Sequence, residues 1–475
     1  AKPVEVVAGR DVINLDLFAQ NIGPSDVTSI TAGRDIVYPQ TRQSTTGAIF
    51  INPNQIDLGG PGQLELTAGR DVNLGTSAGI NTTGNLINTS LSKGGANVSI
   101  IAGASVTSPE QVAAFISQYV DGTSDFDQEL VSFVQTATGA TNLSPGQAKT
   151  TLRGMPNGLQ KAFVEQVFFD LLRTKGRQAA ASGPKHNDFS GAYAALQKLF
   201  PGSNPDLAAG EKVPYSGDIL LYFSQVYTDQ GGNISLLAPG GQINAGLAQP
   251  PSSFGVSKQP NQLGIVAQTT GSINAFSYGD FQVNQSRVFA SDSGDILVWS
   301  TEGNIDAGRG SKTSLSAAPA TVTIDPSSGA PIVTLSAPLT GSGIQALAIT
   351  PGTKAGDVDL FAPHGVVNAN DAGIVAGNLT VAATAVLGTN NITVSGTSVG
   401  VPVAVTGLGA NAVGASSSAA GNVNSATNSF ESREDTSKTP AADTALGWLD
   451  VFVLGFGEDA CKADDAECMK RQSQK

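Results

Sequence analysis

Two carboxylate pairs are the first residues in this sequence whose types and spacing would suit chemistry: Asp357 with Asp359, and Asp292 with Asp295. Clustered carboxylates beside a basic side chain bind calcium and remove protons in polysaccharide lyases built on stacked β-coils. Here the carboxylates sit at turns and alternate with apolar strand positions, which favours structural use. A lyase would show itself as an acidic cluster with Arg or Lys on one face of the folded stack. Ser-His-Asp chemistry has little to draw on, because His186 and His364 are the only histidines. Gly407-Leu-Gly-Ala-Asn-Ala412 has the outline of a dinucleotide fingerprint, but a Ser- and Asn-rich stretch follows where a helix is required. No catalytic, cofactor-binding or metal-ligating residue is assigned, and the chain reads as a non-enzyme. The last reactive pair is Cys461 and Cys468, the only cysteines, with the acidic stretch Lys462 to Glu467 between them. Two such thiols can close a small disulfide loop in an oxidising compartment. They lack the histidines that would complete a zinc site, and their spacing differs from the Cys-x-x-Cys of a redox motif.

The elements that must carry these residues are announced by repetition. A fourteen-residue phrase opens at Gly232, Gly294 and Gly356, with 62 residues from each opening to the next. Ile234, Leu236 and Ala238 in the first copy, and Ile296, Val298 and Ser300 in the second, fall on one face of a short strand. A glycine turn and a second strand follow, with an apolar position at Ile243, Ile305 or Val367. Degraded copies occur earlier as Ala8-Gly-Arg-Asp-Val12, Ala32-Gly-Arg-Asp-Ile36 and Ala68-Gly-Arg-Asp-Val72, and Ala102-Gly-Ala-Ser-Val106 reads as a fourth, eroded one. Adjacent Arg and Asp at such corners would form either a charged ladder between coils or simply a solvated turn. Short strands joined by glycine corners predict an all-β solenoid, a right-handed parallel β-helix whose coils stack their apolar faces.

Between the repeats the apolar period changes from two to about 3.6. Val112, Phe115, Ile116 and Tyr119 form one stripe, Leu130, Phe133 and Val134 a second, Leu159, Phe163, Val167, Phe168, Leu171 and Leu172 a third, and Tyr193, Leu196, Leu199 and Phe200 a fourth. The expected organisation is β-helix coils over 1–106, a small α-helical subdomain of about five short helices projecting from one coil over 107–218, and further coils over 219–406. A Ser-, Ala- and Asn-rich flexible linker over 407–443 and a C-terminal segment over 444–475 complete it. Charged residues make up only 14% of the chain and Gly 56 of its 475 residues, as thin strands and many turns require. The net charge of −13 excludes the basic stripe that nucleic-acid binding needs.

The AGRDV corners, the solenoid repeat, the helical interruption and the segment Trp448-Leu-Asp-Val-Phe-Val-Leu-Gly-Phe-Gly-Glu458 with its following cysteines resemble the C-terminal region of filamentous-haemagglutinin-like exoproteins, the passengers of two-partner (type Vb) secretion in Gram-negative bacteria. The resemblance implies that this chain is the C-terminal part of a longer surface adhesin. It would be a stalk for contact with host cells, matrix polysaccharide or sister cells, secreted through an outer-membrane β-barrel with POTRA domains. It also implies a Cys461–Cys468 disulfide that holds the chain in that transporter from the periplasmic side, with Trp448, Leu449, Phe452, Leu454 and Phe456 as anchor contacts. Asn52-Pro-Asn-Gln-Ile56 is similar to motifs of the family's secretion domain, but stands alone and reads as a turn. Ser418-Ala-Ala-Gly421 resembles the dialanine sites at which periplasmic cysteine proteases release retained adhesins, which marks Ala419, Ala420 and Gly421 as a release site. Two other classes share the architecture: the stalk of a contact-dependent toxin carrier, and a β-helix carbohydrate-active enzyme.

Overall fold

The computed structural model describes residues 3–402, apart from 40, 43–48, 51, 86–89, 105–108, 204–212, 248–257, 259–261, 311–320, 325–330 and 335–340. The chain divides into two units, Ala1–Ala404 and Val405–Lys475, and the described residues all lie in the first. Its ladders are parallel throughout the stack, and the only antiparallel pairs described are two small hairpins, Thr41–Arg42 with Ile49–Phe50 and Thr321–Ile324 with Pro331–Thr334. The first unit is a parallel β-helix.

Each coil has three sides. The first is a strand of four to six residues in most coils, the second a two-residue strand beyond a glycine corner, and the third closes the turn in a separate parallel sheet. On the first side, ten rungs succeed one another: Glu5–Ala8, Val27–Ala32, Gln63–Ala68, Asn97–Ala102, Ile234–Ala238, Ile273–Ser277, Ile296–Ser300, Val358–Asn368, Leu379–Leu387 and Ser398–Val399. We number the coils 1 to 10 in that order. Inward-pointing Ile, Leu, Val and Ala from all three sides stack into one continuous core, from Ile30 through Leu66, Ile100, Leu236, Val298 and Leu360 to Val381.

The 62-residue phrase is not a structural period. From the first copy to the second the chain makes two coils, because Asn233 pairs with Ser272, 39 residues on, and Ser272 with Asp295, 23 residues on. From the second copy to the third it makes one, Asp295 to Asp357 across 62 residues, because coil 7 carries a hairpin. The intervening rung, Ile273–Ser277, reaches its glycine corner at Gly279, eight residues after Gly271, where the phrase takes nine from Gly294 to Gly303, and this shorter corner hides it from a search for the phrase. Equal spacing thus arose from unequal coils, since a solenoid constrains the corners and leaves loop length free.

The corners are fixed by backbone contact. A Cβ on Gly33 would lie 2.3 Å from the carbonyl oxygen of Gly9, one on Gly69 equally close to that of Gly33, and one on Gly365 1.9 Å from that of Gly303. Glycine is required because successive coils touch there, main chain to main chain. The fourth corner is split rather than eroded. The chain leaves it at Gly103, whose N–H donates to Arg70 O, and resumes it at Gly217-Asp218-Ile219, with the Asp218 N–H donating to Asp71 Oδ1 at 2.9 Å. The Asp-Val half of the expected Ala102–Val106 copy is therefore Asp218-Ile219, more than a hundred residues away.

All the described α-helices lie inside this split corner: α1 Pro109–Phe115, which continues as a π-helical turn Ile116–Asp121, α2 Asp127–Thr138, α3 Pro145–Gly154, α4 Asn157–Ala180 and α5 Ser190–Leu199. A capping box between Ser144 and Gln147 starts α3. The insert does not project. It lies flat on the first side of the stack, and its apolar residues form one cluster with Ile101, Leu237, Phe276, Leu297, Trp299, Phe361 and Ala382 of the sheet. The burial of the strands records this cover. Val27–Ala32 alternates between half-buried and buried, whereas Gln63–Ala68 and Ile296–Ser300 are buried at every position.

Candidate functional site

The structure concentrates its buried charge where α4 crosses the coils. The helix has 24 residues and runs along the stack. Outward positions on successive rungs form a column: Glu65, Ser99, Ser235, Asn274, Leu297, Asp359 and Thr380 in register. A stripe on α4 at every fourth residue meets it. Lys161 Nζ lies 3.4 Å from Glu65 Oε2. Glu165 lies beside Ser99, Arg173 Nη2 donates to Asn274 Oδ1 at 3.1 Å, and Arg177 Nε and Nη2 each donate at 2.8 Å to an oxygen of Asp359. The spacings match. Sixteen helical residues rise about 24 Å, and the five coil steps from Glu65 to Asp359 at about 4.8 Å give the same length. Gly176 completes the seat, since a Cβ there would lie 2.3 Å from the Phe361 ring.

The carboxylates suspected of lyase chemistry are therefore present as an acidic cluster with arginine on one face of the stack. Its geometry decides against an open cleft. Asp359 is fully buried, both its oxygens are taken by the Arg177 fork, and Arg173 Nε stands 3.4 Å from Oδ2. Asp357 bonds the same Arg177 at 2.9 Å and accepts from Asn378. Burial pushes the Asp359 carboxyl up, against the opposing pull of the two arginines. Among the described residues, no group of three or more His, Cys, Asp or Glu is arranged to hold a metal ion.

The second pair is equally committed. Asp295 Oδ1 accepts the Asp357 N–H at 2.8 Å. Asp292 accepts the N–H of Ile349 and of Thr350 at 2.8 Å, the Thr350 hydroxyl at 2.7 Å and the Thr353 hydroxyl at 2.9 Å, and so pins the turn after the third side of coil 7. Burial raises its pKa, but these bonds together outweigh that and hold it below the usual carboxylate value. A depressed folded pKa gives stability that is present above the unfolded value and lost as pH falls through the folded one. Asp292→Ala is expected to cost about 2–3 kcal/mol at neutral pH and less in acid, as read by urea unfolding at pH 7 and pH 3.

Asp295 also belongs to a ladder of short polar side chains that each hold the next coil's N–H or side chain: Asn97, Asn233, Ser272, Asp295, Asp357 and Asn378. The AGRDV corners build a parallel one. Asp11 accepts from Arg34 and from the Asp35 N–H, and Asp35 accepts from Arg70 and from the Asp71 N–H. The charged ladder between coils is thus realised, and the Arg34 and Arg70 guanidinium groups hold Asp11 and Asp35 below the ordinary carboxylate range. Asn52 and Asn54 of the NPN sequence bond Asn14 of coil 1 and form a turn, as read from the sequence. Trp448, Leu449, Phe452, Leu454, Phe456, Cys461, Cys468 and the Ala419, Ala420, Gly421 sequence lie outside the described residues.

Coils 7 to 10 supply the observation that bears on kinship. Residues 293–403 match a family model described as a filamentous haemagglutinin family outer membrane protein. This segment is similar to the filamentous haemagglutinin family. No curated protein and no solved structure matches the chain. The matched segment begins at the second copy of the long phrase and includes Trp299, Asp357, Asp359 and Phe361. It therefore contains the rungs that meet the last turn of α4 at Arg177, while Asn274, the partner of Arg173, and α4 itself lie outside the matched residues. The match supports a secreted, haemagglutinin-like adhesin region at the bacterial surface, points away from an enzyme, and implies an outer-membrane transporter as partner in general terms.

The sequence reading missed the α4 stripe. Lys161, Glu165, Arg173 and Arg177 stand among other polar residues of a mixed helix, and their mates on the sheet are 66 to 182 residues distant. A signal did exist in the strands: Leu237, Phe276, Leu297, Trp299 and Phe361 break the period of two, which is the mark of a sheet covered on both faces.

Proposed function

We propose that the chain forms a rigid stalk segment of a large surface adhesin that mediates contact with host cells, matrix polysaccharide or sister cells. It leaves the cell through an outer-membrane β-barrel with POTRA domains and is held there by a Cys461–Cys468 disulfide loop. The observation that carries the reading is a continuous β-helix, clamped lengthwise by α4, in which the haemagglutinin-family match falls on the last coils. Ten rungs at about 4.8 Å make a rod in which every coil is hydrogen-bonded to the next. A helix bonded to coils 3, 6 and 8 resists bending of that rod. Trp448, Leu449, Phe452, Leu454 and Phe456 would hold the transporter, and cleavage at Ala419-Ala420-Gly421 would release the stalk.

The test is the location of the full-length protein for wild type against a Cys461→Ser, Cys468→Ser double variant. The expected result is normal export with most of the variant in the medium. Equal retention on cells would sink the hook.

A further inference from the structure

A cleft of about 370 Å³ opens where the start of α5 meets coils 8 and 9. The volume is within the range of small-ligand sites. Two of its walls are the half-buried rings of Phe189 and Tyr193, which stand edge-on to the fully buried Trp299 at 5.9 Å and 83°, and 6.1 Å and 89°. Trp299 in turn packs edge-on against Phe361 at 5.8 Å. Sheet and helix thus fix both rings before any ligand arrives, which removes part of the cost of binding.

The opposite side is polar. Asn187 and Thr384 are exposed, the Thr384 hydroxyl donates to Gly365 O at 2.6 Å and keeps its lone pairs, and His364 is oriented by a 2.8 Å contact between Nδ1 and Glu302 Oε1. That pairing leaves Nε2 outside the His–Glu contact. Aromatic rings beside an amide, a hydroxyl and an imidazole–carboxylate pair suit one ligand chemistry. The C–H face of a pyranose packs on the rings, and its hydroxyls, each both donor and acceptor, meet the polar rim. Neither Lys nor Arg lines the cleft, and Glu302 adjoins it in a chain of net charge −13, so a sulfated or uronic sugar is disfavoured.

We propose that this cleft binds a neutral pyranose unit of a polysaccharide, with Phe189 and Tyr193 as the stacking surface and Asn187, His364 and Thr384 as the hydroxyl partners. The assignment rests on the adhesin reading and supplies its ligand class. Affinity electrophoresis of the full chain through gels containing dextran, galactomannan or an N-acetylglucosamine polymer provides the neutral probes, and polygalacturonate the anionic one.

At least one neutral gel should retard the wild type while polygalacturonate does not. Thr384→Arg, which fills the cleft from an exposed position, should weaken that retardation at least tenfold with an unchanged melting curve. Tyr193→Phe, which keeps the ring, should retain it. Wild type that passes every neutral gel unretarded, or Thr384→Arg that is retarded equally, overturns the cleft. Adhesion of protein-coated beads to whole cells, run in parallel, separates the two readings. Beads that adhere while no neutral gel retards the protein leave the adhesin standing without this site. Retardation abolished by Thr384→Arg, with beads that do not adhere, leaves the site standing without the adhesin.

Discussion

Lys161→Met should lower stability by about 3–5 kcal/mol at pH 8 and by much less at pH 4. Lys161 is 4% exposed, and the two carboxylates it serves, Glu65 and Glu165, are 9% and 6% exposed. Removing the ammonium leaves both in a low-dielectric contact between helix and sheet, where an unpaired charge is most costly. Glu165 already shows the strain. Burial pushes its carboxyl up to about 7, with Glu65 adding to the rise and Lys161 opposing it, and its Oε1 has no hydrogen-bond partner. A folded pKa above the unfolded value gives stability that is fully present below about pH 4.5 and lost as pH rises through about 7. The difference corresponds to roughly 3 kcal/mol. Glu165→Gln, which keeps the shape and removes the charge, should therefore match wild type at pH 4 and exceed it at pH 8. Hydrogen exchange of α4 amides at both pH values reads the effect locally. A Lys161→Met penalty that is the same at pH 4 and pH 8 would mean that packing, and not charge, holds the helix.

The fold was legible because a solenoid writes its constraint locally. A glycine followed within two residues by Asp or Asn and then by an apolar residue marks the corners, and it stays recognisable at Gly9, Gly33, Gly69, Gly217, Gly279 and Gly303 whatever lies between; at Gly33, Gly69, Gly217 and Gly303 main-chain contact with the preceding coil dictates it. Coil length was not legible, because loops and hairpins on the second and third sides cost the stack little. The helical stripes around Phe115, Leu130, Phe163 and Leu196 were also plain, and these residues are in the insert's core. What they packed against was not, since a stripe reports that a face is covered and never by what. The same blindness applies to the cleft. Phe189 and Tyr193 come from the insert while His364 and Thr384 come from coils 8 and 9, and nothing in the local sequence of either brings them together.

Gly365→Ala is the smallest substitution with a large expected effect, about 3 kcal/mol or more. The added Cβ would lie 1.9 Å from the carbonyl oxygen of Gly303 and 2.7 Å from its carbonyl carbon, both main-chain atoms. No rotamer relieves such a contact, so coils 7 and 8 must separate where the Val366 N–H donates to Asn304 Oδ1 at 2.9 Å and the Val367 rung pairs with Ile305. Gly303 carries a similar contact, at 2.2 Å against Gly279, so the coil beneath has a main-chain neighbour of its own at this corner. Gly146→Ala is the control: nothing lies within 4 Å of its Cβ, and it sits in the first turn of α3. There the change should be neutral or stabilising by up to about 1 kcal/mol, because alanine loses less chain entropy in a helix. Urea unfolding of both variants beside wild type measures the contrast. Equal stability of Gly365→Ala and Gly146→Ala would show that the coils are not in main-chain contact at this corner, and the glycine column would need another cause.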